Sequence, residues 1–539
     1  MAEGRTTGRA SFVTLSVAAL AACALLASRI GYAPIWDGRI YAACISVAAE
    51  HFSAESLRCA GHASQAYAAV AALAQMLAPE SSVPLLATNA FLFAIACVGF
   101  HRLTGHVFPN VASLDRALLT AAFALHPAFL SAVVQPGLDL PLLPEFIWAV
   151  VFVLERRWLP LAVMGFALAF TKETGVLLYA VLLACYALCF ELRSADPFGE
   201  RVKRVVRLAP LALPGVVFVA YLLVRRFASP GKPVIWYTGT TSDSLLSQFL
   251  VPRLDLYQVN YAVLILVLSF AWVVSATIGA DAFVGIVRAG HRESPRPVPG
   301  ADRANLGFLL LLGVVTGYSL TRFTTFGHTR YFLVVYALLF VLFLGSLLRL
   351  GVGAIARRVL LGGYAVLLLV SVVRTVDPVS RRLYGTFAFG SHDMLRMTRV
   401  TGECCGFGQD QLAYSLEFTV LQPLTDAALH AIEASIPTPT IVVPDSTSWI
   451  FLDPPESGRR HFVYRLPSGA KPTVLEHHEV VQGTRRPESA FYLALPYGDN
   501  ARAMRELKAL YEFRDERTFE RHGYAIPVYR MTARAPVQQ

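Results

Sequence analysis

The sequence predicts a polytopic α-helical membrane protein of about eleven transmembrane helices, followed by a C-terminal extracytoplasmic α/β domain. Three observations predict it. Hydrophobic residues make up 55% of the 539-residue chain and charged residues 16%, at a mean hydropathy of +0.51, a composition that excludes ordinary soluble or disordered chains. Nearly charge-free apolar runs recur through residues 1–374, most of them close to the roughly 20 residues a helix needs to cross about 30 Å of hydrocarbon. From Asp377 onward Arg, Asp, Glu and Pro return at ordinary density and no run is long enough to span. The chain therefore divides into a membrane module, 1–374, with a long first outer loop at 33–81, and a soluble domain, 375–539.

In order, the apolar runs place spans near residues 11–32, 82–101, 116–134, 137–154, 158–171, 174–191, 208–225, 259–279, 305–321, 331–348 and 359–374. The first is too long for the apolar core of a signal peptide and reads as a retained span. The fifth is short, and 158–191 also reads as one span interrupted at Lys172 and Glu173. Charge parity separates these readings. With eleven spans and a cytoplasmic N-terminus, the clusters Arg156/Arg157, Arg201/Lys203/Arg204/Arg207, Arg288/Arg292/Arg296 and Arg357/Arg358 all fall inside, as the positive-inside rule requires; a fused span splits them. The outer side then receives 33–81, the turns near 135–137 and 172–173, 226–258, 322–330 and the C-terminal domain.

The net charge of +10 comes from these Arg clusters between spans, not from one basic stripe, so no nucleic-acid partner is expected. The eight cysteines show no zinc spacing. Cys44 and Cys59 share the first outer loop and have the option of pairing on the oxidising side, whereas the adjacent Cys404 and Cys405 would pair with each other only under strain.

Charged groups at or in the membrane cost on the order of 2.5–3.5 kcal/mol each on insertion scales, which makes them functional candidates. Asp37, Asp139, Lys172, Glu173, Arg322, His328 and Arg330 all map to outer ends of spans, with Glu145 about six residues deeper. A secondary transporter or lipid flippase would hold charges near the midplane, often in two repeated halves, and no internal repeat is present. A non-catalytic assembly subunit is the third class. An outward polar site at the lipid boundary suits an enzyme whose substrate has a membrane-embedded tail and a polar head.

Each motif also has a purely structural reading. Trp36-Asp37-Gly38-Arg39-Ile40-Tyr41 follows the first span; Trp36 and Tyr41 suit the interface, and Asp37 suits an Asp-Gly turn. Residues 40–52 and 64–77 read as helices lying along the interface. His126-Pro127 marks a kink. Asp139, opening the fourth span, is favoured by the helix dipole. In Thr171-Lys172-Glu173-Thr174, Thr171 is placed to cap the next helix while Lys172 snorkels, or Lys172 is a cation for a lipid phosphate. Arg330 in His328-Thr329-Arg330-Tyr331 lies on the side that positive-inside bias disfavours, so an anionic ligand or acidic partner is expected beside it.

The order of these parts resembles the GT-C superfamily of polytopic glycosyltransferases, and within it bacterial relatives of the protein O-mannosyltransferases and of the aminoarabinose transferase that modifies lipid A. The matching residues are Trp36-Asp37 with Tyr41, His126-Pro127, Asp139, the segment from Gly165 to Glu173, and Arg330-Tyr331. Two positions depart. Gly38 stands where many relatives carry a second acid, and Gly61-His62-Ala63 replaces a His-Pro-Pro-like stretch.

The resemblance implies a polyprenyl-phosphate-linked sugar donor, inverting displacement at the anomeric carbon, and a lipid, glycan or protein acceptor. Asp37 then serves as general base. Lys172 and Arg330, with His328 as a third, stabilise the departing phosphate, and Asp139 and Glu173 bind sugar hydroxyls or hold those cations. A divalent metal near Asp37 and Asp139 is an option, though two carboxylates alone do not demand one. The Arg- and Ala-rich composition suits a high-GC bacterium, hence the inner membrane, with the C-terminal domain in the periplasm.

In that domain, strands are predicted at 440–443, 462–464, 473–480, 490–495 and 524–529, with an amphipathic helix over 500–511. Asp445 and Asp499 follow strand ends and suit turns.

Overall fold

Each of the eleven apolar runs overlaps helical residues in the computed structural model, which describes residues 2–27, 37–59, 62–79, 81, 83–134, 136–193, 197–228, 266–291, 297–323, 329–371, 377–389, 392–395, 412–445, 466, 468, 470, 472–495, 499–521 and 524–534. The chain runs through α1 (Ala2–Ala27), α2 (Asp37–Glu50), α3 (Gln65–Gln75), α4 (Val83–Val107), α5 (Ser113–Ala124), α6 (Pro127–Val134), α7 (Asp139–Leu154), α8 (Trp158–Ala169), α9 (Glu173–Tyr186), α10 (Phe198–Arg207) and α11 (Leu213–Ala228). The helices Ala271–Gly290, Arg303–Phe323, Leu333–Arg349 and Ala354–Ser371 follow.

Among the described residues, six helices are long and apolar enough to cross a membrane, or eight if two bent pairs each form one span. Of the remaining apolar runs, the first lies in α1, with 26 residues, the fourth in α7 with 16 and the fifth in α8 with 12. At 1.5 Å per residue α8 rises about 18 Å, well short of a hydrocarbon core of about 30 Å. Apolar composition found the segments, but helix length sets whether each one crosses.

One bent pair is α5 and α6, which meet at 50°. His126-Pro127 stands at the bend, where the proline ring pushes the preceding residue out of the α region and removes one N–H from the ladder. His126 is fully buried, with the rings of Phe129, Tyr336 and Phe340 around it. The helix Leu333–Arg349 is apolar on nearly every side and is buried on nearly every side. It packs against α5, α7 and the helices Ala271–Gly290 and Arg303–Phe323. The fully buried Asp115 carboxylate on α5 is held by Arg357 and Arg358, which ties α5 to Ala354–Ser371.

The helices expected along the interface are α2 and α3. They pack on each other through Tyr41, Ile45, Tyr67 and Ala71, and a Cys44–Cys59 disulfide closes the segment between them. Cys404 and Cys405 lie outside the described residues.

Toward the C-terminal end, β1 (Thr386–Phe389) and β2 (His392–Leu395) form a hairpin. A mixed five-stranded sheet follows in the order β4-β3-β5-β7-β6, built from β3 (Thr440–Val443), β4 (Thr473–Glu476), β5 (Ser489–Leu493), β6 (Tyr511–Arg521) and β7 (Tyr524–Ala533). β3 runs parallel to β4 and β5, whereas β7 is antiparallel to β5 and β6. Two expectations are corrected. The strand expected over 473–480 ends at Glu476, where a capping box with Glu479 starts the helix His477–Val481. The helix expected over 500–511 is Asn500–Lys508, and Tyr511 already belongs to β6. The strand expected at 462–464 lies outside the described residues.

Candidate active site

Three chain segments bring Asp139, Lys172 and Arg330 together. Asp139 is the first residue of α7, where free N–H groups and the helix dipole favour a carboxylate. Lys172 is the N-cap of α9, and its extended backbone (φ −163°, ψ 151°) turns the chain sharply between α8 and α9. Arg330 lies in the 3₁₀ turn Thr329–Phe332 that leads into Leu333–Arg349. Lys172 Nζ donates to Asp139 Oδ1 at 2.5 Å, and Arg330 Nε lies 3.5 Å from Asp139 Oδ2. Both cations face Tyr331: Lys172 Nζ is 4.5 Å and Arg330 Cζ 5.3 Å from the ring centroid.

The side chains of Lys172 and Asp139 are each 12% exposed and that of Arg330 20%. Burial disfavours the Lys172 ammonium, but the charges and hydrogen bond of Asp139, with Tyr331, outweigh both that and the repulsion of Arg330, so its pKa is held above the ordinary lysine range. Two cations share one carboxylate. Such an arrangement can accept a further anion, with the cations already fixed in a low-dielectric setting.

Glu173, one residue on, faces the other way. His62 Nδ1 lies 2.9 Å from Glu173 Oε2, and the Ala63 N–H donates to Oε1 at 3.1 Å. These contacts fasten the first loop to the α8–α9 turn. The Ala66 N–H donating to the Phe170 carbonyl and Gln65 donating to the Tyr221 hydroxyl extend the attachment. Sequence reasoning singled out His62 only as a departure from a His-Pro-Pro-like stretch and missed its pairing, because 111 positions separate it from Glu173 and nothing local marks the pair. Thr171 does not cap α9; its hydroxyl donates to Glu145 Oε1 at 2.7 Å, deeper along α7.

Tyr41 is buried in α2 with its ring 6.5 Å from that of His62. Asp37 is the first residue of α2. The Asp37 side chain, Trp36 and His328 lie outside the described residues. As for a divalent metal, both Asp139 oxygens face cations that would repel one, so the residues around Asp139 do not fit such an ion and no step below passes through one.

No family model and no curated protein matches the chain. Two solved structures share its fold: ArnT from Cupriavidus metallidurans bound to undecaprenyl phosphate, and ArnT from Cupriavidus metallidurans in the apo state. Each aligns at a TM-score of 0.50 and 12% identity, covering 96% of this chain and 97% of that chain. The likeness therefore takes in the helical part and the sheet at its end. The chain is a multi-pass membrane protein with this fold.

Proposed function

We propose that this chain transfers a sugar from a polyprenyl-phosphate donor to a hydroxyl of a lipid, glycan or protein acceptor at the outer membrane surface, with inversion at the anomeric carbon. The observation that carries the reading is the convergence of Lys172 and Arg330 on Asp139 at one set of helix ends. The shared fold with a protein whose structure holds undecaprenyl phosphate supports a polyprenyl carrier.

In the reaction, the acceptor oxygen attacks the anomeric carbon and the bond from that carbon to the phosphate oxygen breaks. Its electron pair leaves on the polyprenyl phosphate. Lys172 and Arg330 offset the charge that develops there, and Asp139 keeps both cations in place. The Asp37 carboxylate takes the acceptor proton. Tyr41, one turn along α2 from Asp37, adjoins His62, which holds Glu173 beside Lys172; this sequence of neighbours supports Asp37 acting near the cations. His328 assists at the phosphate and Trp36 at the acceptor side.

The disulfide Cys44–Cys59 supports an oxidising compartment for the first loop, hence the periplasmic face of a bacterial inner membrane. Residues 1–374 form the catalytic module and 375–539 a periplasmic domain over it.

The test incubates the protein in nanodiscs with a panel of labelled polyprenyl-phosphate sugars and compares wild type with Asp37→Asn. Wild type transfers label, and the variant binds donor but loses transfer. Transfer by both, or by neither, removes the assignment.

A further inference from the structure

A second group of charged side chains lies far along the chain from the cation pair, at the carboxyl ends of two adjacent parallel strands. Asp445 follows β3, Glu476 ends β4, and His478 stands in the first turn of the short helix after it. Open sheets with parallel strands bind ligands at this edge. His478 Nδ1 lies 2.8 Å from Asp445 Oδ1 and 3.4 Å from Glu476 Oε2. One ligand atom from each of the three lies within 4.8 Å of the others.

We propose that Asp445, Glu476 and His478 form a binding site for one divalent first-row metal ion such as Zn²⁺. An ion with ligand bonds of about 2.1 Å sets neighbouring ligand atoms roughly 3.0–3.4 Å apart, which is close to the spacing of His478 Nδ1 from both carboxylates. One imidazole nitrogen with two carboxylate oxygens suits borderline divalent ions. The ligands are held from behind. The His478 N–H donates to Asp445 Oδ1, and the capping box fixes Glu476 through Glu479. The imidazole of His477, 2% exposed, accepts from the Asp445 backbone N–H at Nδ1 and lies 3.2 Å from Glu506 at Nε2, which braces the chain that carries Asp445. His478 is 45% exposed and Asp445 34%, so water can complete the coordination and an ion can enter.

This site is independent of the transferase reading. The test titrates the full-length protein in detergent, stripped of metal, with Co²⁺ by visible absorption and with Zn²⁺ by calorimetry, alongside His478→Ala and Glu476→Gln. Gln keeps the capping geometry, so that variant reads ligand loss even if His478→Ala folds poorly. Wild type binds one equivalent that both variants bind at least tenfold more weakly. Isotherms and spectra that coincide between wild type and Glu476→Gln, or no saturable binding by wild type, overturn the site.

Discussion

Lys172 and Asp139, 33 positions apart, meet at 2.5 Å across the ends of two helices, and each is nearly buried. A lysine at the end of an outer hairpin has an easier course, since its long stem can carry the ammonium into water. Here it turns inward to a carboxylate that also faces Arg330. Burying charges costs several kcal/mol per ion before their attraction offsets it.

Removing the shared partner should therefore hurt most. Asp139→Asn removes the carboxylate that the nearly buried Lys172 ammonium bonds and that Arg330 faces, and destabilises the protein by about 3–5 kcal/mol. Because the folded-state pKa of Lys172 is raised, its contribution is complete below the ordinary lysine pKa of about 10.4 and is lost as pH rises through the folded value. In Asp139→Asn burial dominates, and the loss moves to lower pH. Thermal unfolding in detergent as a function of pH checks this: wild type holds its midpoint through mildly alkaline pH while the variant declines earlier.

Lys172→Met tests the anion role directly. A charge-assisted hydrogen bond contributes about 1.5–3 kcal/mol, so undecaprenyl phosphate should bind at least tenfold more weakly, measured by competition with a labelled lipid phosphate. Unchanged affinity would leave Lys172 a structural ion pair.

The contact between His62 and Glu173 predicts coupling. His62→Ala and Glu173→Gln should each raise protease cleavage within residues 51–63, and the double variant should add little to either. A coupling energy on the order of 1–2 kcal/mol is expected from the double-mutant cycle; additive effects would mean the pair does not hold the loop.

Closing a 15-residue separation, the Cys44–Cys59 disulfide stabilises the folded loop by about 3 kcal/mol in the chain-entropy treatment. A Cys44→Ser/Cys59→Ser variant should melt lower than wild type, and reductant should lower the wild type alone. Neither thiol should react with maleimide before reduction.

At Gly175 the turn of α9 lies against α8 so closely that an added Cβ would sit 1.9 Å from the Leu168 carbonyl oxygen. Gly175→Ala should cost about 3 kcal/mol, the upper end for overpacking, and reduce the yield of monodisperse protein. Gly199→Ala, with nothing within 4 Å of its added Cβ, is the control and should leave both unchanged.

Much of this architecture was legible in the residues. Apolar runs locate the helices because hydrocarbon admits few charges, and His126-Pro127 announces its bend because proline cannot continue the ladder. Strands β3, β5 and β7 stand out by their apolar, β-branched and aromatic residues. β6 was missed because Glu512, Arg514, Asp515 and Glu516 give it the polarity of a loop, while pairing along β7 is what makes it a strand.

The candidate site divides along the same line. Asp139, Lys172 and Arg330 could be picked out one at a time, each as a charge out of place at a membrane boundary. Their partnership followed only from the family resemblance, which offered Asp139 as a holder of the cations, and the contacts of Glu173 with His62 and of Thr171 with Glu145 were not legible at all. Hydropathy and backbone sterics act over a few neighbouring residues and are written locally, so the sequence by itself determined the helices, the kink and the list of suspect charges. Which charges meet depends on how helix ends and loops pack across a hundred positions, and only the tertiary structure decided that.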